Sequence, residues 1–202
     1  LNYFVTLDGS GDICGPAGNV NCRGADNPEE FVRQRAKILA ALDEINADVY
    51  GLMEIENDRP DGEDPVADLV AGLNDIQGAG TYTYIDIGYI GTDAIKQAIL
   101  YKPAQVTPVG AYKILDTSVD PRFIDTANRP VLAQVFEDNE TGVKFVVAVS
   151  HRKSEGSACV GDPGLGDGAG NCNLTRLAAA EAMVDWLADP AIFGDVEKVL
   201  II

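Results

Sequence analysis

The sequence predicts an α/β protein with two mixed β-sheets packed face to face and helices on the outside. Three observations lead there. The periodicities run strand, helix, strand, helix, then a series of strands, then helix and strand, an order that a single doubly wound sheet does not produce. Of the 202 residues, 46% are hydrophobic and 23% charged, which supplies a core and excludes wholesale disorder. No internal repeat and no linker divides the chain, so residues 1–202 read as one domain or a large part of one. No apolar run approaches the roughly 20 residues of a membrane span.

Residues 1–28 are an apolar stub followed by a Gly-, Asp- and Asn-rich stretch, which reads as a surface loop. Asn27-Pro28-Glu29-Glu30 supplies an N-cap, a first-turn Pro and acids at the positive end of a helix dipole. In that helix Phe31, Ile38, Leu42 and Ile45 share a face. Asp48–Ile55 reads as a buried strand with a polar end, and Pro65–Asn74 as a helix carrying Val66, Leu69, Val70 and Leu73. Strands are expected at Tyr82–Ile87, Ala94–Tyr101, Val106–Tyr112, Val131–Glu137 and Val143–His151, punctuated by Pro103, Pro121, Pro130 and Asn139-Glu140-Thr141-Gly142. A helix over Asn173–Ala188, capped by Asn173, has an inner stripe of Leu177, Ala180, Val184 and Leu187. Lys198–Ile202 begins a further strand. The chain opens on LNYF without Met and stops inside that strand, so a piece of a longer protein is expected.

Charge and cysteine usage restrict the function. The formal net charge is −17. Such a surface works against nucleic-acid binding by counterion release and suits divalent cations. Cys14 and Cys22, and Cys159 and Cys172, each bracket a short Gly/Asp/Asn/Pro loop. With no CxxC and one His, two local disulfides and an oxidising compartment are expected rather than a zinc site.

Four places could carry chemistry. Glu54 interrupts the apolar strand DVYGLMEI at its C-terminal end. By alternation it shares a face with Tyr50 and Leu52, where a carboxylate needs a partner or a metal; Glu56 and Asn57 are alternatives beside it. His151 closes the apolar strand KFVVAVS, and its pKa suits acid–base work near neutrality. Arg122 and Arg129, in DPRFIDTANRP, have the guanidinium geometry that grips phosphate oxygens, or they form ordinary surface ion pairs with the excess acids. Asp93 could orient a His on a neighbouring strand, or simply form a turn. Asp162 and Asp167 lie in a Gly-rich loop without the pattern of a calcium hand, which reads as a disulfide-closed loop.

The ordered strings GDICGP, NCRGADNPEEFVRQRAKI, ADVYGLMEIEN, GTDAIKQAILYKP, DPRFIDTANRP and SHRKSEGSAC followed by GDGAGNCNLTR span almost the whole chain. In combination they resemble the secreted bacterial nucleases of the endonuclease/exonuclease/phosphatase superfamily, the ExeM/NucH-like enzymes, distant relatives of pancreatic deoxyribonuclease. The resemblance implies a four-layer α/β sandwich and an extracellular location. It also implies phosphodiester hydrolysis of nucleic acid, DNA foremost, dependent on Mg²⁺, with Mn²⁺ or Ca²⁺ as alternatives. Glu54 matches the family's metal-binding Glu, His151 the His of NH-x-K-S, Asn128 and Arg129 its phosphate-contacting residues, Arg176 the N-x-x-R helix start, and Asp93 the acid that supports the His. Ser150 and Arg152 depart from the motif, which has Asn and an apolar residue there. The family's metal-binding Asn, its G-D-x-N and its terminal S-D-H fall outside residues 1–202. The chain is therefore expected to be a partial domain, truncated at both ends and inactive alone. The alternatives are a phosphoesterase of the same fold acting on phospholipid or sugar phosphate, and a non-catalytic secreted binding module.

Overall fold

A computed structural model describes residues 1–7, 11–57 and 64–202; residues 8–10 of the stretch 1–28, expected as a surface loop, lie outside them. The first helix, α1 (Pro28–Ile45), starts as its sequence dictates. The Asn27 side chain accepts from the Glu30 N–H, and Pro28 occupies the first turn. Strand β1 (Val49–Glu56) follows, then α2 (Pro65–Gln77), whose Asp64 cap accepts from the Val66 and Ala67 N–H groups. Strands β2 (Thr83–Tyr84) and β3 (Ile95–Tyr101) complete a three-stranded sheet in the order β1-β3-β2, antiparallel throughout. Tyr3 adds a parallel bridge to Ile55.

The second sheet comprises β4 (Val106–Pro108), β5 (Lys113–Leu115), β6 (Val131–Asp138), β7 (Lys144–Val149) and β8 (Val199–Ile201). Its order is β4-β6-β7-β8 with β5 also on β6, and only the β7–β8 pairing is parallel. Helices α3 (Asn173–Leu187) and α4 (Pro190–Phe193) connect β7 to β8, a crossover of the kind that parallel neighbours require.

Strand alternation sorts the core into three layers. Ala98 and Leu100 of β3 join Tyr50, Leu52, Leu39, Leu42, Leu69 and Leu73 under α1 and α2, whereas Ile99 and Tyr101 face the other sheet. On β6, Val131, Ala133 and Val135 lie under α3, and Leu132 and Phe136 fill the space between sheets; Val146 and Ala148 against Val147 and Val149 do the same on β7. The result is helices, sheet, sheet, helices, the four-layer arrangement expected. Among the described residues no helix is long and apolar enough to cross a membrane.

Several expected details differ. Of the stretch Val106–Tyr112 only Val106–Pro108 is strand, because Gly110 turns the chain at φ +69°, and the chain returns to β6 beyond Tyr112 as β5. Buried Gln134 bridges the interruption by donating to the carbonyls of Val109, Gly110 and Val135. Only Thr83–Tyr84 of Tyr82–Ile87 pairs as a strand. Ile45 is exposed, since α1 ends there with Asn46 left-handed. On α3 the buried stripe is Ala179, Ala182, Met183, Trp186 and Leu187, while Leu177 and Val184 are exposed. Trp186, edge-on to Phe193 at 4.9 Å, and Met183 bury more apolar surface than Leu177 and Val184 would, and the two Ala let the helix approach the sheet. Asn173 is the first residue of α3 and not its cap. Asp162 serves that end instead, accepting from the Thr175 N–H and hydroxyl.

The two sheets come together closely at Gly51. A methyl placed there would lie 2.8 Å from Ile202 Cδ1 and 2.9 Å from Val149 Cγ2. Gly51→Ala is therefore expected to destabilise the fold by about 1–3 kcal/mol through overpacking, read as a fall in the urea midpoint at unchanged slope.

Candidate active site

The C-terminal end of β1 departs from regular pairing. Leu52 faces Ala98, but Ile55 faces Lys96, so one extra residue is inserted between them. Glu54 sits in this bulge with φ +61°. Ile55, rather than Glu54, rejoins the core with Tyr50 and Leu52, which corrects the alternation argument. A bulge re-aims a side chain, and a non-Gly residue in the left-handed region carries strain that clusters at functional positions. The Glu54 carboxylate accepts from the Leu1 amino group at 3.2 Å.

His151 lies two residues past the end of β7. Its carbonyl accepts the Arg129 N–H at 3.1 Å, which ties the end of β7 to the entry of β6. The ring's pKa is lowered from the ordinary 6.5, chiefly by burial and then by the Arg129 charge; Glu54 and Asp93 oppose this as nearby negative charges, and the Leu1 amino group adds to the lowering. The structure thus places Glu54, Asp93 and Arg129 within electrostatic reach of one imidazole, although they come from three separate segments.

Asp93 is the hub of this group. One oxygen accepts from Arg129 Nε at 2.8 Å and Nη2 at 2.6 Å. The other accepts from Arg23 Nη2 at 2.8 Å and the Ala94 N–H at 2.7 Å. Its backbone carbonyl accepts from Asn57 Nδ2 at 2.9 Å. Asn57 is wholly buried, donates also to the Ile90 carbonyl and accepts the Ile90 N–H. It thus braces the Asp93 turn, while Glu56 accepts from the Val5 and Thr6 N–H groups. Neither alternative to Glu54 takes its place in the group around His151.

A polar cleft of about 440 Å³ opens beside Asp93 and Arg129, with Asp125, Asn128, Lys153 and Ser157 also in its walls; neither Glu54 nor His151 lines it. Buried Asn128 donates to the Ile124 carbonyl and accepts the Lys153 N–H, so it shapes the wall that carries Lys153. Both disulfides are formed, Cys14–Cys22 and Cys159–Cys172, and each stabilises a loop beside the cleft. Arg176 donates to the Asn171 and Ala169 carbonyls, both at 2.6 Å, and so holds the second loop. Asp167 accepts the Ala169 N–H within it. Arg122 pairs with Asp120 and Asp185 against α3, and the structure does not bring it into the His151 group. Ser150, at the position that departs from the motif, has a buried hydroxyl without a hydrogen-bond partner among the described residues.

Arg23 and Lys153 are the residues that reading the sequence for site chemistry passed over. The available signal was scarcity. The chain has 15 Lys and Arg against 32 Asp and Glu, and both cations flank Cys loops.

The chain matches no protein-family profile and no curated protein sequence. Solved structures do match its fold. An endonuclease/exonuclease/phosphatase family protein from Bacteroides thetaiotaomicron superposes with a TM-score of 0.54 at 14% identity, over 86% of this chain and 55% of that one. The human Nocturnin catalytic domain, solved with bound sulfate, gives 0.53 at 15% identity over 86% and 56%. A mannosyl-6-phosphatase from B. thetaiotaomicron gives 0.53 at 13% over the same shares. The described residues therefore adopt the α/β sandwich of the endonuclease/exonuclease/phosphatase proteins. The chain spans 55–56% of the length of these three.

Proposed function

We propose that this chain carries part of the active site of a secreted, divalent-metal-dependent phosphodiesterase that cleaves nucleic acid, DNA foremost. The observation that supports it is that Glu54, Asp93 and Arg129 all act electrostatically on His151, and that Asp93 and Arg129 of this group line a polar cleft. This set unites a hard carboxylate, a guanidinium and an imidazole, the groups that phosphoryl chemistry uses.

The donor set suits Mg²⁺. Among the described residues no three His, Cys, Asp or Glu side chains gather around one point, but Mg²⁺ is commonly held by one or two carboxylates while keeping several waters. Glu54 is the residue that would hold it, and the bound ion would neutralise charge on a phosphate oxygen. Arg129, clamped through Nε and Nη2 by Asp93, is in the wall of the cleft and orients the phosphate. His151 is largely neutral near pH 7 in this environment. An incoming phosphate raises its proton affinity, so the ring can bind the proton it shares with, or gives to, a phosphate oxygen.

A second reading, hydrolysis of a sugar phosphate or another small phosphate ester, draws on the net charge of −17, which opposes a polyanion more than a small ligand. Plasmid DNA and mannose 6-phosphate, offered side by side to the full-length protein with Mg²⁺ and with EDTA, separate the two. Mg²⁺-dependent nicking of the plasmid is expected. Turnover of the sugar phosphate alone would establish the second reading, and no turnover of either would overturn both.

A further inference from the structure

We propose that Arg23 is a positioning residue for the phosphate site: by taking one oxygen of Asp93 it sets the orientation in which the other oxygen holds Arg129. This rests on the reading above only in taking phosphate as the ligand.

The geometry carries it. A carboxylate contacted by one guanidinium can pivot about its Cβ–Cγ bond. Asp93 cannot do so freely, because Arg23 Nη2 and the Ala94 N–H hold Oδ1 while Arg129 Nε and Nη2 hold Oδ2. Four donors thus fix the plane of the carboxylate, and the plane of the carboxylate fixes the fork of Arg129. Arg23, Arg129 and Lys153 bring three positive charges together on a strongly negative protein, opposed by Asp93, by Asp125 in the cleft wall and by Glu54.

Arg23 belongs to neither a helix nor a strand, yet its backbone is held on both sides. On one side Cys22 is buried and bonded to Cys14, and the Cys14 and Val20 backbones exchange hydrogen bonds of 2.9 Å. On the other, Gly24 presses on Phe4 so closely that a methyl there would lie 2.4 Å from Phe4 Cβ. The next residue, Ala25, is buried. A loop whose only task was to cover the surface would need no such anchoring around one half-exposed arginine. Without this pair of anchors the backbone around Arg23, as well as its side chain, would have to be ordered for the contact with Asp93.

The test uses inorganic phosphate and the 202-residue chain. His151 is the single histidine, so its ring resonances report the site by NMR without overlap. Phosphate is expected to shift them saturably. Arg23→Ala is expected to weaken that affinity about tenfold while the melting temperature stays close to wild type. Arg23→Lys restores the charge without the planar fork and is expected to recover less than half of the loss. Gly24→Ala, which leaves every site side chain in place but displaces the loop, is expected to weaken phosphate in the same direction. Two results overturn the proposal: an Arg23→Ala chain that binds phosphate as tightly as wild type, whether or not it melts earlier, which would make Arg23 a loop staple; or a wild-type chain with no saturable response. Absence of DNA cleavage by the full-length protein would sink the proposed activity but not this titration, and cleavage unaffected by Arg23→Ala would do the reverse.

Discussion

Replacing Glu54 by Gln in the full-length protein is expected to lower metal-dependent kcat/KM by at least about 10³-fold, because the substitution removes the one carboxylate that the bulge in β1 presents. Fold and melting temperature should survive, since the amide is isosteric and Glu54 is outside the core. A companion substitution makes the point sharper. Glu54 has φ +61°, a conformation that costs an L-residue about 1 kcal/mol or more and glycine almost nothing. Glu54→Gly is therefore expected to raise stability by about 1 kcal/mol while abolishing activity. Denaturant unfolding and a DNA-nicking assay on the same preparation check both halves. A Glu54→Gln protein that cleaved at near wild-type rate would refute the metal assignment.

The second large effect concerns the imidazole. His151→Ala is expected to lower kcat by about 10²–10⁴-fold, the range for losing a positioned acid–base group, with little change in KM. The titration of His151 supplies an internal check. Burial, followed by Arg129, lowers its pKa below 6.5, against the pull of Glu54 and Asp93. Arg129→Ala should thus move the NMR midpoint up, and Asp93→Asn should move it down. The linkage has a definite sign. A histidine whose folded-state pKa is depressed favours the folded state when neutral, so this contribution is complete above pH 6.5 and is lost as the pH falls below it. Urea midpoints should accordingly decline between pH 7 and pH 5 in the wild type, and by less in His151→Ala.

Much of the architecture could be read from residue order because local and global preferences agree. Asn27-Pro28 starts a helix by capping chemistry alone, and the Val/Ile/Leu alternation of β6 and β7 has no competing interpretation. Reading failed where a tertiary partner decides. The α3 stripe was misplaced because the choice between Leu177 with Val184 and Met183 with Trp186 depends on Phe193 and on the sheet beneath. Glu54 was correctly singled out as an anomaly, but for an incomplete reason: alternation cannot anticipate an inserted residue. Arg23 could not be found by spacing at all. It meets Asp93 across a sequence separation of 70, and nothing near Cys22 announces that partner. For Arg122 the alternative of a surface ion pair is the one the structure shows, with Asp120 and Asp185, and spacing alone does not separate it from Arg129.

Gly51 has a meaning beyond stability. It lies three positions before Glu54 on one sheet, and the Val149 it touches lies two positions before His151 on the other. The absent methyl therefore sets how closely the two sheets approach just behind the residues proposed as the carboxylate and the imidazole of the site, through a core contact and not through either group. On the proposed reading, a side chain at position 51 would alter that spacing from the interior without changing either Glu54 or His151.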